Sequence, residues 1–522
     1  MTSPRRARLA VLVATTLAVS ASALVLAAYL AHASALVAYP WDWSPDEGLY
    51  LDHARRLASS PASLNPRSFV PFPSAYGPLL PAILAPALAT PQGPLFGARL
   101  VAIAWTLAGA LAVYLLVRQK APPVLALAAC ALSLALLDLS FWHVLVRPDG
   151  PMLTFWLLAA VPLLPVSLAR GTDRLGTARL VAGTALVMAA CLSKPTAVVH
   201  GAPLVLGWLL VDRRSALRLA GSLAAAGLVT VLALQWISDG GFLWVNRVWA
   251  FHPSQPSLPL LIVGYFASRA WPLLLLAGVS LVLAARASRA SLRDASWLLI
   301  AGALLVLPLT AKYGASWNYL VPALPALAVA TGRWWPATGE VLGVPRAAGG
   351  AALLATLALA LALTREFPVP TAEDERTARA FYGYVTAHTR ATGGPLLTLR
   401  PELASYLVGQ PVEMEGSGFF HLGRGKAPGT ELVLERLQQA RYTLVVVTWP
   451  LPDTGGYQEA AARSYVHAGG CTLGYYFGTV TATLLPRRDL YQPVPNAPGI
   501  RCGPPPPAAA GLRPSSPKEP PA

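Results

Sequence analysis

Residues 5–57 read RRARLAVLVATTLAVSASALVLAAYLAHASALVAYPWDWSPDEGLYLDHARRL, and the order of their parts decides the class of molecule. Arg5, Arg6 and Arg8 precede an apolar run of about 9–30, and a segment rich in acids and aromatics follows it. A signal peptide shares that beginning, and Ala33-Ser34-Ala35 imitates a cleavage site. The run nevertheless exceeds the ~7–15-residue apolar part of a signal peptide and is long enough to cross ~30 Å of hydrocarbon. It reads as a retained first membrane helix with its basic end in the cytoplasm.

The rest of the chain repeats the pattern. Ten more apolar runs follow, at about 97–117, 122–141, 151–169, 179–193, 197–211, 217–236, 259–285, 296–312, 318–331 and 347–364. Apolar residues make up 55% of the 522 and charged residues 12%, about half the share usual in a soluble domain. With a mean hydropathy of +0.52, a soluble enzyme and a disordered chain are both excluded. The net charge of +16 does not point to nucleic acid, because the basic residues sit in short clusters between apolar runs. Counted as inside segments, those clusters hold sixteen basic and four acidic residues, the asymmetry that orients multi-pass proteins. The sequence thus predicts a polytopic α-helical membrane protein of about eleven transmembrane helices, with a small C-terminal α/β domain outside the cytoplasm. Its expected place is the inner (plasma) membrane. The domains expected are 1–364, a membrane domain with a large first outer loop (31–96); 365–502, the extracytoplasmic α/β domain; and 503–522, a disordered Pro- and Ala-rich tail.

Within the tail, 365–390 reads as helix, 395–399 as strand, 401–408 and 431–440 as helices, 442–449 as strand and 471–485 as a hairpin with Gly478 near its turn. Cys471 and Cys502 both fall in this domain and could pair by oxidation, whereas Cys130 and Cys191 lie in apolar runs.

Only the first outer loop and the tail are long enough to carry chemistry in water. In the loop, Asp42, Asp46, Glu47 and Asp52 fall within eleven positions. Ser44-Pro45-Asp46-Glu47 is also a capping box, with Ser44 as N-cap and Glu47 at the third helical position. Capping accounts for Ser44 and Glu47; it requires neither Asp46 nor the cluster of Tyr39, Trp41, Trp43 and Tyr50. Residues 71–86, PFPSAYGPLLPAILAP, are apolar but too short and Pro-broken to span, so they should lie in the outer interface.

Further charges gather at the outer ends of the runs: His143, Arg147 and Asp149, then Lys194, then Lys312 with Asn318 after it. Lysine occurs only five times against thirty-five arginines. A boundary lysine can simply snorkel to the headgroups; together with Arg147, Lys194 and Lys312 could also form a cationic basin for a lipid phosphate. His143, His200 and His252 read as structural. The sequence has no Walker loop, G-x-G-x-x-G, H-E-x-x-H or C-x-x-C.

Taken in order, Pro45-Asp46-Glu47 with YLDHARRL, Tyr76-Gly77-Pro78-Leu79, Gly97-Ala98-Arg99-Leu100, Arg147-Pro148-Asp149, Ser193-Lys194-Pro195 and Lys312…Asn318-Tyr319…Pro322…Pro325 resemble the membrane-embedded GT-C glycosyltransferases. The likeness is to the branch of protein O-mannosyltransferases and lipid A aminoarabinose transferases, and it covers about residues 1–335. Members often carry a second Pro where Gly77 stands, and commonly no Pro after the Lys194 position. The resemblance implies a GT-C-like fold, a polyprenyl-phosphate-linked sugar as donor and Asp46 as the catalytic carboxylate. Chemistry agrees. A sugar transferred outside the cytoplasm must arrive on a lipid, so the leaving group is a phosphate that needs cations and no nucleotide pocket.

The expected site therefore has Asp46 as general base assisted by Glu47, and Arg147, Lys194 and Lys312 binding the donor phosphate. Asp149, Tyr76, Tyr313 and Asn318 orient the substrate. No cofactor is required; the carboxylates are compatible with a divalent metal that nothing demands. Expected partners are the lipid-linked donor, a lipid, glycan or protein acceptor, and membrane lipids, with no nucleic acid. Two other classes share these features: a flippase or transporter of lipid-linked sugars, and a non-catalytic envelope scaffold.

Overall fold

The computed structural model describes residues 4–60, 76–171, 173–243, 254–312, 315–342, 346–365, 367–398, 430–447, 457–473 and 479–486. Most of these residues are helical. The helices are α1 (Pro4–Ala38), α2 (Pro45–Ser59), α3 (Leu79–Leu84), α4 (Pro94–Arg118), α5 (Pro123–Leu134), α6 (Leu137–Ser140) and α7 (Asp149–Leu163). They continue with α8 (Thr177–Ser193), α9 (Ala197–Val211), α10 (Arg213–Ile237), α11 (Leu258–Ala287), α12 (Trp297–Leu304), α13 (Ala323–Leu342) and α14 (Arg346–Thr364).

Among the described residues, five stretches are long and apolar enough to cross a membrane: Arg8–Ala38, Pro94–Arg118, Arg213–Ile237, Leu258–Ala287 and Ala347–Thr364. A sixth is formed if Pro123–Leu134 and Leu137–His143 count as one span. The chain is thus a multi-pass membrane protein. Four of the other expected spans fall on apolar helices of 10–17 residues, including Thr177–Ser193 and Ala197–Val211. The run at 122–141, read as one straight span, is bent by 67°. The bend lies where Leu136 leaves helical geometry (φ −85, ψ 75), without a proline or glycine to mark it.

Contacts divide the chain into two units. The first, Met1–Pro40, His53–Phe69 and Pro73–Val369, is the helical bundle. There α1 lies along α14, α7 along α8, and α11 along α13. Ala284, Ala330 and Trp334 form a buried knot with Leu281, Trp297 and Ile300 around it, small residues letting the backbones approach. Leu228, Val229 and Leu260 stand exposed, as side chains facing lipid do. Between α11 and α12, the buried Asp294 carboxylate receives Lys120 at 2.5 Å and Arg333 at 2.9 Å. Arg333 also donates to the Leu116 carbonyl at 3.1 Å, so one acid ties the α4–α5 turn and α13 to the connection between α11 and α12.

The second unit is Trp41–Asp52, Val70–Phe72 and Pro370–Ala522. Its longest stretch begins at Pro370, and Trp41–Asp52 of the first loop groups with it. Helix α15 (Ala372–Thr392) opens on a complete capping box between Thr371 and Asp374 and ends at Gly393 in the left-handed region (φ 64). Beyond it come β1 (Leu396–Thr398), α16 (Thr430–Gln438), β2 (Leu444–Val447), α17 (Tyr457–Ser464), β3 (Tyr465–Leu473) and β4 (Thr479–Pro486). The strands form one sheet in the order β1-β2-β4-β3. β1 runs parallel to β2, with Leu397 opposite Val445, and the other pairs are antiparallel. Ala378, Phe381, Tyr382, Val385 and Thr389 form the buried face of α15. The helix expected at 401–408, Gly478 and residues 503–522 lie outside the described residues. So does Cys502, and with it the disulfide expectation; Cys130 and Cys191 are free thiols.

Candidate functional site

In the bundle, the pairing of α7 with α8 creates a buried charged cluster. Asp149 is the first residue of α7 and Lys194 caps the end of α8. A carboxylate at a helix start and an ammonium at a helix end each complement the helix dipole. Lys194 Nζ lies 2.7 Å from Asp149 Oδ1, and both side chains are more than nine-tenths buried. Asn318 Nδ2 donates to the same oxygen at 3.0 Å, while Arg147 Nε stands 3.7 Å from Oδ2. The ammonium is also 4.5 Å from the centre of the Tyr319 ring and 5.9 Å from that of Tyr76. The Arg147 guanidinium lies 4.1 Å over Trp142. The cluster thus brings a guanidinium and an ammonium to the same buried carboxylate.

The electrostatics are coupled. Burial would raise the Asp149 carboxyl, but the Lys194 ammonium and then Arg147 reverse this and hold it below the usual carboxylate range. Burial would likewise lower Lys194, and Asp149 more than reverses that, keeping it charged. The Lys194–Asp149 pair is therefore ionised, and Arg147 is the cation less committed to it.

Gly77 sets the position of Tyr76. A Cβ built there would lie 1.9 Å from the Leu192 carbonyl oxygen and 2.5 Å from its carbon. The backbone of this interfacial segment thus presses directly on the last turn of α8, beside Lys194. No side chain fits there without a shift of the backbone, which accounts for the glycine.

Arg99, in the Gly97-Ala98-Arg99-Leu100 entry to α4, has a role that the sequence does not assign. It is fully buried and donates Nη1 to the carbonyls of Leu36 at 2.7 Å and Tyr39 at 2.6 Å. These carbonyls lie at the end of α1, where helical partners run out. Arg99 therefore fixes the point at which the chain leaves its first membrane helix. A charged residue inside an apolar run was the available signal.

In the second unit, Glu47 is fully buried. Its Oε2 accepts from the backbone N–H of Trp43 at 2.7 Å and of Ser44 at 3.3 Å, the reciprocal half of the capping box. Asp46, one residue earlier in the first turn of α2, is half-buried. Asp42 is buried and its Oδ1 accepts from the hydroxyl of Tyr382, while the Trp41 ring stacks on the Tyr382 ring at 4.6 Å and 3°.

Of the expected site residues, Arg147, Lys194, Asp149, Asn318 and Tyr76 come together, and Tyr319 joins them. Lys312 is half-buried and pairs through its backbone with Ser254; among the described residues no hydrogen bond or ion pair joins it to the cluster. Tyr313 lies outside the described residues. His200 accepts a structural part, its Nδ1 2.7 Å from the Gly302 carbonyl, and His143 lines a small cleft with Thr106, Ser133, Gly150 and Thr154. Among the described residues no group of three or more His, Cys, Asp or Glu side chains could hold a metal ion.

Residues 75–237 match the family model of dolichyl-phosphate-mannose-protein mannosyltransferases. No curated protein matches the sequence. Among solved structures, ArnT from Cupriavidus metallidurans bound to undecaprenyl phosphate superposes with a TM-score of 0.51 at 16% identity, over 89% of this chain and 97% of that one. The apo state of the same protein gives 0.51 at 15% identity, over 88% and 97%. The archaeal oligosaccharyltransferase AglB from Archaeoglobus fulgidus, in complex with an inhibitory peptide and a dolichol-phosphate, gives 0.50 at 12% identity, over 88% and 74%. By its fold and by this matched segment, the chain resembles the GT-C membrane glycosyltransferases of the protein O-mannosyltransferase and aminoarabinose transferase branch.

Proposed function

We propose that the protein transfers a sugar from a polyprenyl-phosphate donor to an acceptor hydroxyl on the extracytoplasmic face of the plasma membrane. Eleven spans, an N-terminus in the cytoplasm and a C-terminal α/β domain outside it belong to the same reading. The observation that carries it is the buried Arg147–Asp149–Lys194 cluster with Tyr76 and Asn318. All but Asn318 lie within the segment matching the mannosyltransferase family. Lys194 and Arg147 both stand beside Asp149, and a guanidinium with an ammonium at one place is the kind of group that binds a phosphate. The likeness in fold to a protein seen with undecaprenyl phosphate adds support for a lipid phosphate as the ligand.

In the reaction, Asp46 takes the proton of the acceptor hydroxyl, and that oxygen attacks the anomeric carbon. The bond from this carbon to the phosphate oxygen breaks, its electron pair leaving with polyprenyl phosphate. Arg147, with Lys194 and Lys312, stabilises the charge gathering there. One displacement inverts the anomeric centre. Glu47 holds the turn that presents Asp46.

Purified protein given a labelled polyprenyl-phosphate mannose and an envelope extract should release polyprenyl phosphate. Asp46→Asn should abolish release and leave the thermal unfolding profile unchanged. Full activity in that variant would refute the base assignment; no release from any lipid-linked sugar would favour a flippase or a scaffold.

A further inference from the structure

We infer that Tyr382, on helix α15, is a positioning residue for Asp46; this rests on the reading of Asp46 as the general base. Asp42 stands four residues before Asp46, and its buried carboxylate accepts the Tyr382 hydroxyl. On the adjacent residue, the Trp41 ring lies flat against the Tyr382 ring, 4.6 Å between centres. Two consecutive residues of the first loop are thus gripped by one side chain, by its face and by its tip.

From Asp42 to Asp46 little freedom remains. Glu47 Oε2 binds the amides of Trp43 and Ser44, and Pro45 begins α2 with its φ fixed. A displacement of Asp42 therefore passes to Asp46 through a closed turn. The other end of the lever is firm as well. Tyr382 shares the buried face of α15 with Ala378, Phe381 and Val385, and that helix packs on β2 and β3.

Stability alone is a poor reason for such a contact. A buried carboxylate is costly to desolvate, and an apolar pair of similar volume would hold the segment at least as well. What a carboxylate and a hydroxyl add over an apolar pair is direction, because a hydrogen bond weakens steeply as it departs from linear geometry. A general base must sit within ~3 Å of the proton that it removes, so direction is what Asp46 needs.

The test is Tyr382→Phe in the full chain, which keeps the ring stack and removes only the hydroxyl. Release of polyprenyl phosphate from labelled polyprenyl-phosphate mannose gives kcat and the donor KM, with wild type and Asp46→Asn alongside. A hydrogen bond to a charged group corresponds to about a tenfold to hundredfold effect. The expected result is a kcat lowered by that factor, with donor KM within twofold and an unchanged unfolding temperature. Asp42→Asn should fall in the same way, and the double variant no further than the worse single one. Wild-type kcat in Tyr382→Phe, beside an inactive Asp46→Asn, overturns the inference and leaves the base intact. Loss that disappears on cooling below the variant's own unfolding temperature also overturns it, since the role is then structural. Full activity in both Asp46→Asn and Tyr382→Phe overturns the reading of the base itself.

Discussion

Removing the Asp149 carboxylate tests the charged cluster most directly. In Asp149→Ala, the Lys194 ammonium, its side chain 3% exposed, loses the carboxylate that stands 2.7 Å from it. What remains is the Tyr319 ring at 4.5 Å and the Tyr76 ring at 5.9 Å, contacts worth about 0.5–2 kcal/mol. Breaking one partner of a buried pair costs about 3–5 kcal/mol, and the rings offset only part of it. The variant should therefore unfold in detergent with a loss of about 3 kcal/mol near neutral pH.

Its pH dependence is the sharper signature. Without Asp149, burial drives the Lys194 pKa below its unfolded value, so over the intervening pH range the unfolded state binds more protons than the native one. Stability must then rise with pH relative to wild type, where Asp149 keeps Lys194 charged. Replacing both residues, Asp149→Leu with Lys194→Met, should restore most of the stability and none of the transferase activity. A single variant within about 0.5 kcal/mol of wild type, or one with no rise relative to wild type between pH 7 and 9, would refute the pairing.

Three other outcomes follow from the geometry. Asp294→Ala leaves Lys120 and the buried Arg333 without their shared carboxylate, and should lose about 3–5 kcal/mol in the same unfolding assay with donor KM unchanged. Burial would raise Asp294, but Arg333 and Lys120 hold it low, so in wild type its contribution should persist through the usual carboxylate range and be lost only under stronger acid. Gly77→Ala forces a methyl to within 1.9 Å of the Leu192 carbonyl oxygen; a loss of about 1–3 kcal/mol and a raised donor KM, measured by polyprenyl phosphate release, are expected as Tyr76 moves. Glu47→Gln keeps an acceptor for the Trp43 and Ser44 amides and should retain most activity, whereas Glu47→Ala should lose about 1–2 kcal/mol of stability. A Glu47→Gln variant as inactive as Asp46→Asn would make Glu47 catalytic after all.

Much of the bundle was legible because apolar runs and their flanking charges are local signals. The capping box was legible for the same reason: Ser44, Pro45 and Glu47 are neighbours in sequence, and Glu47 sits where the motif puts it. The pairing inside the cluster was not. Asp149 meets Lys194 across 45 residues and Asn318 across 169, and nothing in a single sequence says which boundary charges face each other. Lys194 looked like Lys312 on the page, yet one is locked against a carboxylate and the other is not joined to that cluster. Leu136, where the third apolar run bends, has neither proline nor glycine beside it. Tyr382 was hidden in a charged segment, although the spacing of Ala378, Tyr382, Val385 and Thr389 marks the face that packs inward.

The contact of Tyr382 with Trp41 and Asp42 also bears on modularity. A tail that follows the last membrane helix looks like an exchangeable appendage, free to be lost or swapped between relatives. Here one side chain of that tail completes the surroundings of a carboxylate only four residues from the proposed base. Cutting the chain after Thr364 would leave Asp42 without this donor, and grafting a foreign tail would require the matching Trp-Asp pair to travel with it. The two segments, 340 residues apart, must therefore change together, as a single inherited piece divided by the membrane bundle.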